Sequence, residues 1–391
     1  MIFRHLAPGG VQLAWSQLWF EQRRFAAAIA GIIIVTMSTL FQTGVYTAFF
    51  GSAVGLIQQF NADLVMISED YRSVTVQNWF PEERLFQTLA NPAVASVARL
   101  MVTSSQFRNP DDLTLHDTLL LGIDPAEDAL RFKGYAEQRE LLKSGESILF
   151  DRASKPVYGK IAERLAKGGP FYGEFLQQRV RVAGTFALGP SFALPGSFMT
   201  SQSNFYRLQP NYRRGRLSYG LIKLKPGSDP AAIAAELQQR LPRDVRVSTL
   251  PAMKKFEKQY WNDFTPIGFI IPMSLIVSLI VGGVVIYQIL YTNVNDQLKQ
   301  YATLKAIGYT DGILAGVVMQ QALMLSLIGF APGMALSYGL FYVSKAATGL
   351  PFQLTAGQLI LAFVATTAMC AIAGMLALGK LRQADPAEVF G

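Results

Sequence analysis

Phe264 to Asn295, FTPIGFIIPMSLIVSLIVGGVVIYQILYTNVN, contains no Asp, Glu, Lys or Arg. A helix needs about 20 such residues to cross the hydrocarbon core of a bilayer, so the stretch reads as a transmembrane span. Three further uncharged runs surround it: Phe25 to Ala62 before, and Gly312 to Ser344 and Ala346 to Gly379 after. Only Lys345 parts the last two, but KAATGLPFQLTAGQ carries the Gly-Leu-Pro punctuation of a turn, so they read as a hairpin. The expected fold class is an α-helical membrane protein with four transmembrane helices and a large mixed α/β extracytoplasmic domain between the first and second. Composition agrees, with 51% apolar and only 16% charged residues in a chain of 391.

The expected layout is a cytoplasmic segment 1–24, a first span with stalk 25–62, an external α/β domain 63–263, a second span 264–295, a cytoplasmic helix 296–311, spans 312–344 and 346–379, and a tail 380–391. Lys and Arg number 35 against 27 acidic residues. In a soluble protein that surplus would suggest nucleic acid, but here the membrane accounts for it and no nucleic-acid partner is expected. Arg4, Arg23, Arg24, Lys299, Lys305, Lys380 and Arg382 lie on one side of the spans, against Lys345 on the other. The bias of basic residues toward the cytoplasm puts both termini there and 63–263 outside. The first run follows Arg23 and Arg24 as a signal peptide would, but it is far longer than a signal core, so it reads as an uncleaved anchor. Its uncharged residues would make about 57 Å of helix. The later part, QTGVYTAFFGSAVGLIQQF, is therefore expected to continue as a stalk.

Pro266, Pro272, Gly282 and Gly283 in the second span, and Gly329, Pro332 and Gly333 in the third, allow kinks and close helix approach. No span interior contains an ionisable residue, which weighs against a proton-driven pump.

The external segment has about 200 residues, enough to bury its own core. Strand-like runs recur: DLVMIS, VASVARLMVTSSQF, DTLLLGID, SILFD, RVRVAGTFAL and YGLIKLKP. In LIKLKPGSDPAAIAAELQQRLPRDVRVSTL a strand meets Pro226-Gly227, Ser228 or Asp229 caps a helix carrying Ile233, Leu237 and Leu241, and Pro242 ends it before another strand. This is a βαβ pattern. The cluster Arg213, Arg214 and Arg216 in NYRRGRLSY can serve as a solvated loop or as a grip on an anionic group. Tyr260 and Trp261, just before the second span, fit an interfacial aromatic belt.

Chemistry is sparse. There is no G-x-x-x-x-G-K-[ST] loop, no G-x-S-x-G elbow, no H-E-x-x-H helix and no C-x-x-C pair. One cysteine and two histidines exclude a disulfide framework and leave little for zinc or haem. His116 lies in DDLTLHD, which reads as a turn or a weak cation site, and Cys370 reads as a small packing residue within the fourth span. No catalytic, cofactor or metal residue is expected. The cytoplasmic stretch YTNVNDQLKQYATLKAIGYTDG is more informative. Asn293 or Asn295 can cap a helix starting at Asp296, Gly308 can stop it, and Leu298, Tyr301, Ala302 and Lys305 share one face. Such a helix would lie along the membrane surface, either passively or as a lever.

Several of these stretches together resemble the FtsX/MacB/LolE (type VII) class of ABC transporter permeases. The span layout carries the likeness, together with YATLKAIGY after the second span. TPIGFI, VIYQILYTNVNDQL, MCAIAG, the terminal KLRQADPAEVF and the external LLKSGESILFD, AGTFALGPSF and LIKLKPGSDP resemble its DevC-type branch in cyanobacteria. One departure is Gln297, where relatives carry histidine. The resemblance implies that the helix after the second span couples the chain to a separate cytoplasmic ABC ATPase that carries the ATP and Mg. By motif, the contact would centre on Tyr301, Leu304, Lys305, Ala306, Gly308 and Tyr309. It further implies a homodimer, a periplasmic membrane-fusion adaptor, a TolC-like outer-membrane channel, an inner-membrane location, and export of an amphiphile such as a glycolipid. Two other readings stand beside it: an FtsX-like relay to a cell-wall hydrolase that transports nothing, and a membrane-anchored enzyme, which the missing motifs disfavour.

Overall fold

A computed structural model describes residues 22–76, 78–168, 171–296, 303 and 310–383. Four of its helices are long and apolar enough to cross a membrane, at Phe25–Ala53, Ile267–Asp296, Ala315–Thr348 and Ala356–Ala377. The chain divides into two units. One collects Met1–Thr47, Phe269–Ser344 and Phe352–Gly391, and the other Ala48–Gly268 with Lys345–Pro351.

The first unit is built from α1 (Gln22–Ala53), α8 (Ile267–Asp296), α9 (Asp311–Thr348) and α10 (Ala356–Gln383). Its core is made largely of small and branched side chains: Ala28, Ile32 and Val35 of α1, Ile286 and Leu290 of α8, Ala322 and Leu325 of α9, and Cys370, Ala373 and Ala377 of α10. Helices in lipid associate by close packing rather than by the hydrophobic effect, so small residues mark their contacts. A Cβ at Gly282 would collide with Val35, and one at Gly333 would lie 2.7 Å from Thr36. Side-chain hydrogen bonds add to this, with Gln358 Nε2 donating to Thr47 Oγ1 at 2.7 Å and to the Thr43 carbonyl at 3.1 Å. The helices continue through Pro272 and Pro332.

Two expected boundaries are corrected. The fourth span does not start at 346, because α9 runs on to Thr348 and α10 begins only at Ala356. Gly349 stops α9 in the left-handed region at φ 70°, its N–H bonding the Lys345 carbonyl at 2.9 Å. Pro351 follows, and Thr355 with Gln358 forms a reciprocal cap for α10. The first span does not run on as one stalk to residue 62 either. Helix α1 ends at Ala53, Gly55–Gln58 makes a separate turn of helix, α2, and Phe60 is buried in the core of the second unit.

The second unit contains β1 (Leu64–Ser68), β2 (Phe80–Pro81), α3 (Glu82–Gln87), β3 (Val94–Arg108), β4 (Leu115–Ile123), β5 (Ser147–Asp151), α4 (Ile161–Ala166), β6 (Phe171–Phe175), β7 (Gln178–Phe186), β8 (Ser197–Ser201), α5 (Gln202–Leu208), β9 (Arg216–Leu217), β10 (Tyr219–Leu224), α6 (Pro230–Arg240), β11 (Val245–Thr249) and α7 (Leu250–Phe264). Nine strands form one sheet in the order β11-β1-β10-β3-β4-β8-β5-β7-β6, and β3 pairs again with β6. The second pairing closes β3, β4, β8, β5, β7 and β6 into a small barrel, which removes an open edge. Its interior is aromatic: the Phe198 ring lies 4.6 Å from Phe107, 5.1 Å from Phe150 and Phe175, and 5.5 Å from Tyr158, centroid to centroid. A side chain on Gly173 of β6 would strike the Phe107 ring, so this strand needs glycine there.

At the other end of the sheet, β10 and β11 both run antiparallel to β1, which lies between them, so the βαβ pattern is a split one. Asp229 caps α6 by accepting the Ala231 N–H at 2.9 Å, and Pro230 supplies the first turn. Gln238 of α6 pins the edge strand, donating to the Val245 carbonyl at 3.0 Å and accepting the Val247 N–H at 2.8 Å.

Candidate functional site

All six residues expected to contact the ATPase, Tyr301, Leu304, Lys305, Ala306, Gly308 and Tyr309, lie outside the described residues. Helix α8 ends at Asp296 before them and α9 begins at Asp311 after them. Arg213 and Arg214 are exposed, Arg214 resting 5.8 Å from the Tyr206 ring centre, while Arg216 belongs to β9 and pairs with Pro81. The DDLTLHD stretch forms a local turn in which Asp112 accepts both the N–H and the hydroxyl of Thr114, and Thr114 meets His116 at 2.7 Å. Those Thr114 hydrogen bonds hold the Asp112 carboxyl below its ordinary range. Among the described residues no three His, Cys, Asp or Glu side chains converge as metal ligands. Cys370 is fully buried in the core of the first unit.

A cavity of about 200 Å³ opens within the second unit, lined by residues 51–53, 55–56 and 58–59, by 74–75, by 188–194 and 196–197, and by Leu119, Glu257, Trp261, Gly349 and Pro351. On its aromatic side Trp261 packs edge-on against Phe49 at 5.8 Å and Phe192 at 5.6 Å, which are themselves 4.2 Å apart. Its indole N–H is also engaged, by Glu257 Oε1 at 2.9 Å.

Glu257 is the residue that the sequence reading missed. It sits on the inner face of α7, four residues from Met253 and four from Trp261, and is completely buried. The Tyr71 hydroxyl donates to its Oε2 at 2.7 Å and the Val74 N–H to its Oε1 at 3.1 Å. Tyr71 Oη in turn lies 2.8 Å from Tyr219 Oη on β10. Burial pushes the Glu257 carboxyl up to about 7, opposed by its hydrogen bonds from Tyr71, Val74 and Trp261, and pushes the Tyr71 and Tyr219 hydroxyls well above their ordinary range. The available sequence signal was the four-residue spacing Met253, Glu257, Trp261, which puts a carboxyl among apolar positions.

Asp151, at the end of β5, organises the loop over the cavity. Its Oδ1 accepts the N–H groups of Ala153 and Leu188, both at 3.0 Å, and its Oδ2 accepts Gly189 N–H at 2.9 Å and Ser197 Oγ at 3.3 Å. Burial raises its carboxyl, against the lowering effect of these bonds.

Two family models match the chain. Residues 25–240 match the model of the MacB-like periplasmic core domain, and residues 272–386 that of the FtsX-like permease C-terminal region. A stretch of 131 residues, 33% of the chain, is 28% identical to a macrolide export ATP-binding/permease protein MacB of Rhodopseudomonas palustris, of which it covers 20%. Another of 118 residues, 29% of the chain, is 27% identical to an uncharacterized ABC transporter permease, YknZ, of Bacillus subtilis, covering 29% of it. The chain thus spans less than a third of the length of these curated relatives. Among solved structures, the periplasmic region of MacB from Actinobacillus actinomycetemcomitans aligns at 12% identity and TM-score 0.35, over 50% of this chain and 92% of that one. With the MacB-like core model spanning more than half of its length and the FtsX-like model much of the rest, the chain belongs to the FtsX/MacB-type ABC transporter permeases.

Proposed function

We propose that the chain is the permease subunit of an ABC exporter in which a separate cytoplasmic ATPase binds ATP and Mg and drives conformational change in the domain between the first two spans. The observation that carries this reading is the joint presence, in one chain, of the MacB-like core and the FtsX-like C-terminal region. The uncharged spans support a mechanism in which they transmit motion rather than enclose a charged path. The chain connects the parts directly: α1 crosses from one unit to the other at Thr47 and Ala48, and only Thr265 and Pro266 separate α7 from α8.

In this reading both termini face the cytoplasm of an inner-membrane homodimer. Tyr301, Leu304, Lys305, Ala306, Gly308 and Tyr309 receive the ATPase, and a periplasmic adaptor with an outer-membrane channel takes up the exported amphiphile. The DevC-like motifs favour a glycolipid as cargo. The test is biochemical: the purified chain alone should hydrolyse no ATP, and its cognate ATPase should show turnover that the permease stimulates. Hydrolysis by the isolated chain, with contaminants excluded, would overturn the division of labour.

A further inference from the structure

We infer that Glu257 is a proton-responsive fastener between α7 and the loop that follows β1. The carboxylate takes two donors on Oε1, the Val74 N–H and the Trp261 indole, and one on Oε2, the Tyr71 hydroxyl. Since Tyr71 donates to the carboxylate, its oxygen is free to accept from Tyr219, whose one described hydrogen-bond partner it is. The hydroxyls therefore form a one-way relay, Tyr219 to Tyr71 to Glu257, in which every proton has an acceptor. A negative charge, however, is left buried with no ion pair among the described residues.

Adding a proton removes the charge and reverses the relay. Oε1 already faces two donors, so the proton must reside on Oε2 and point at Tyr71. Tyr71 must then donate to Tyr219, whose own O–H loses its acceptor. Each state thus leaves one group uncompensated, a charge in one and a hydroxyl in the other, which is the condition for a balanced two-state element.

Among the described residues, no other charged side chain of the neighbouring elements bonds Glu257. Arg72 is exposed on the loop itself. Glu69 is held by Arg246 of β11 at 2.6 Å, and Lys223 of β10 by Asp63 at 3.6 Å. On α7, Lys255 and Lys258 are exposed, and Lys254 is half-buried. The titratable groups joined to Glu257 by hydrogen bonds are Tyr71 and, through it, Tyr219. Because α7 leads within two residues into α8, the grip of the sheet on this helix would follow external pH, whatever the cargo.

The full-length protein in lipid nanodiscs tests this by infrared titration between about pH 5 and pH 9, in step with the buried carboxyl. A protonated-carboxyl band should vanish with a midpoint near neutrality and be absent from Glu257→Gln. The Trp261 share of the emission, obtained by difference from Trp261→Phe, should change with the same midpoint. Tyr71→Phe removes a donor to the ionised form, so it should raise the midpoint by about one pH unit. A folded wild type with no titrating band, or a band that survives in Glu257→Gln, overturns the inference. If Glu257→Gln fails to fold, an unmoved midpoint in Tyr71→Phe overturns it equally.

Discussion

Asp151 lets the loop over the cavity be dissected atom by atom. Its two oxygens have divided duties, Oδ1 serving Leu188 and Ala153 and Oδ2 serving Gly189 and Ser197. In Asp151→Ala both loop amides lose their acceptor. A buried donor without a partner costs about 1 to 3 kcal/mol, and the loop can limit this by opening to water, so the low end applies to each amide. Two amides at about 1 kcal/mol each give about 2 kcal/mol, roughly a thirtyfold increase in local opening at 1.4 kcal/mol per tenfold. Amide hydrogen exchange resolved across 187–197 reads this directly. Asp151→Asn is more discriminating. Its remaining oxygen can replace Oδ1 and keep Leu188 protected, but its NH₂ group then meets the Gly189 N–H donor to donor. Leu188 should stay slow and Gly189 should become fast. If both amides keep wild-type protection in Asp151→Ala, Asp151 does not hold the loop.

Further expectations concern stability, packing and coupling. For Glu257 the folded-state pKa is raised from 4.5 to about 7, so its contribution is full below pH 4.5 and is lost as pH rises through 7. The loss amounts to about 3 kcal/mol in chemical unfolding of the full chain, and Glu257→Gln should flatten that slope. Gly282→Val should lower the thermal stability of the detergent-solubilised protein because it collides with Val35, whereas Gly339→Val, with no atom near its Cβ, should not. Lys305→Glu and Gly308→Val should leave insertion intact, the former within about 0.5 kcal/mol for a surface change, yet abolish ATPase binding. Cysteines at Lys305 and Arg214 in a Cys370→Ala background should react with an impermeant maleimide from opposite sides; labelling of both from outside would refute the topology.

The spans were readable because an uncharged run longer than the bilayer leaves the chain few alternatives, and the capped α6 because Asp229, Pro230 and Pro242 act locally. The start of α10 was misplaced since Ala346, Ala347 and Thr348 suit either the end of one apolar helix or the start of the next. Only the positive φ of Gly349 and the Thr355 cap decide between them. Barrel closure was invisible because it rests on Phe107 and Arg108 meeting Phe175 and Glu174, a pairing between strands far apart in sequence. Glu257 was hidden for the same reason. Nothing in LPAMKKFEKQYWNDF shows that Tyr71 and Val74, some 180 residues earlier, will supply its donors.

ATP bound by a cytoplasmic partner should change the domain between the first two spans. The direct measurement is hydrogen exchange across 63–263 in the nanodisc-reconstituted complex, compared between nucleotide-free and ATP-trapped ATPase. Protection in this domain should differ between the two states, and the difference should vanish in Lys305→Glu, while identical exchange in the two states of a complex shown to bind ATP would refute the coupling.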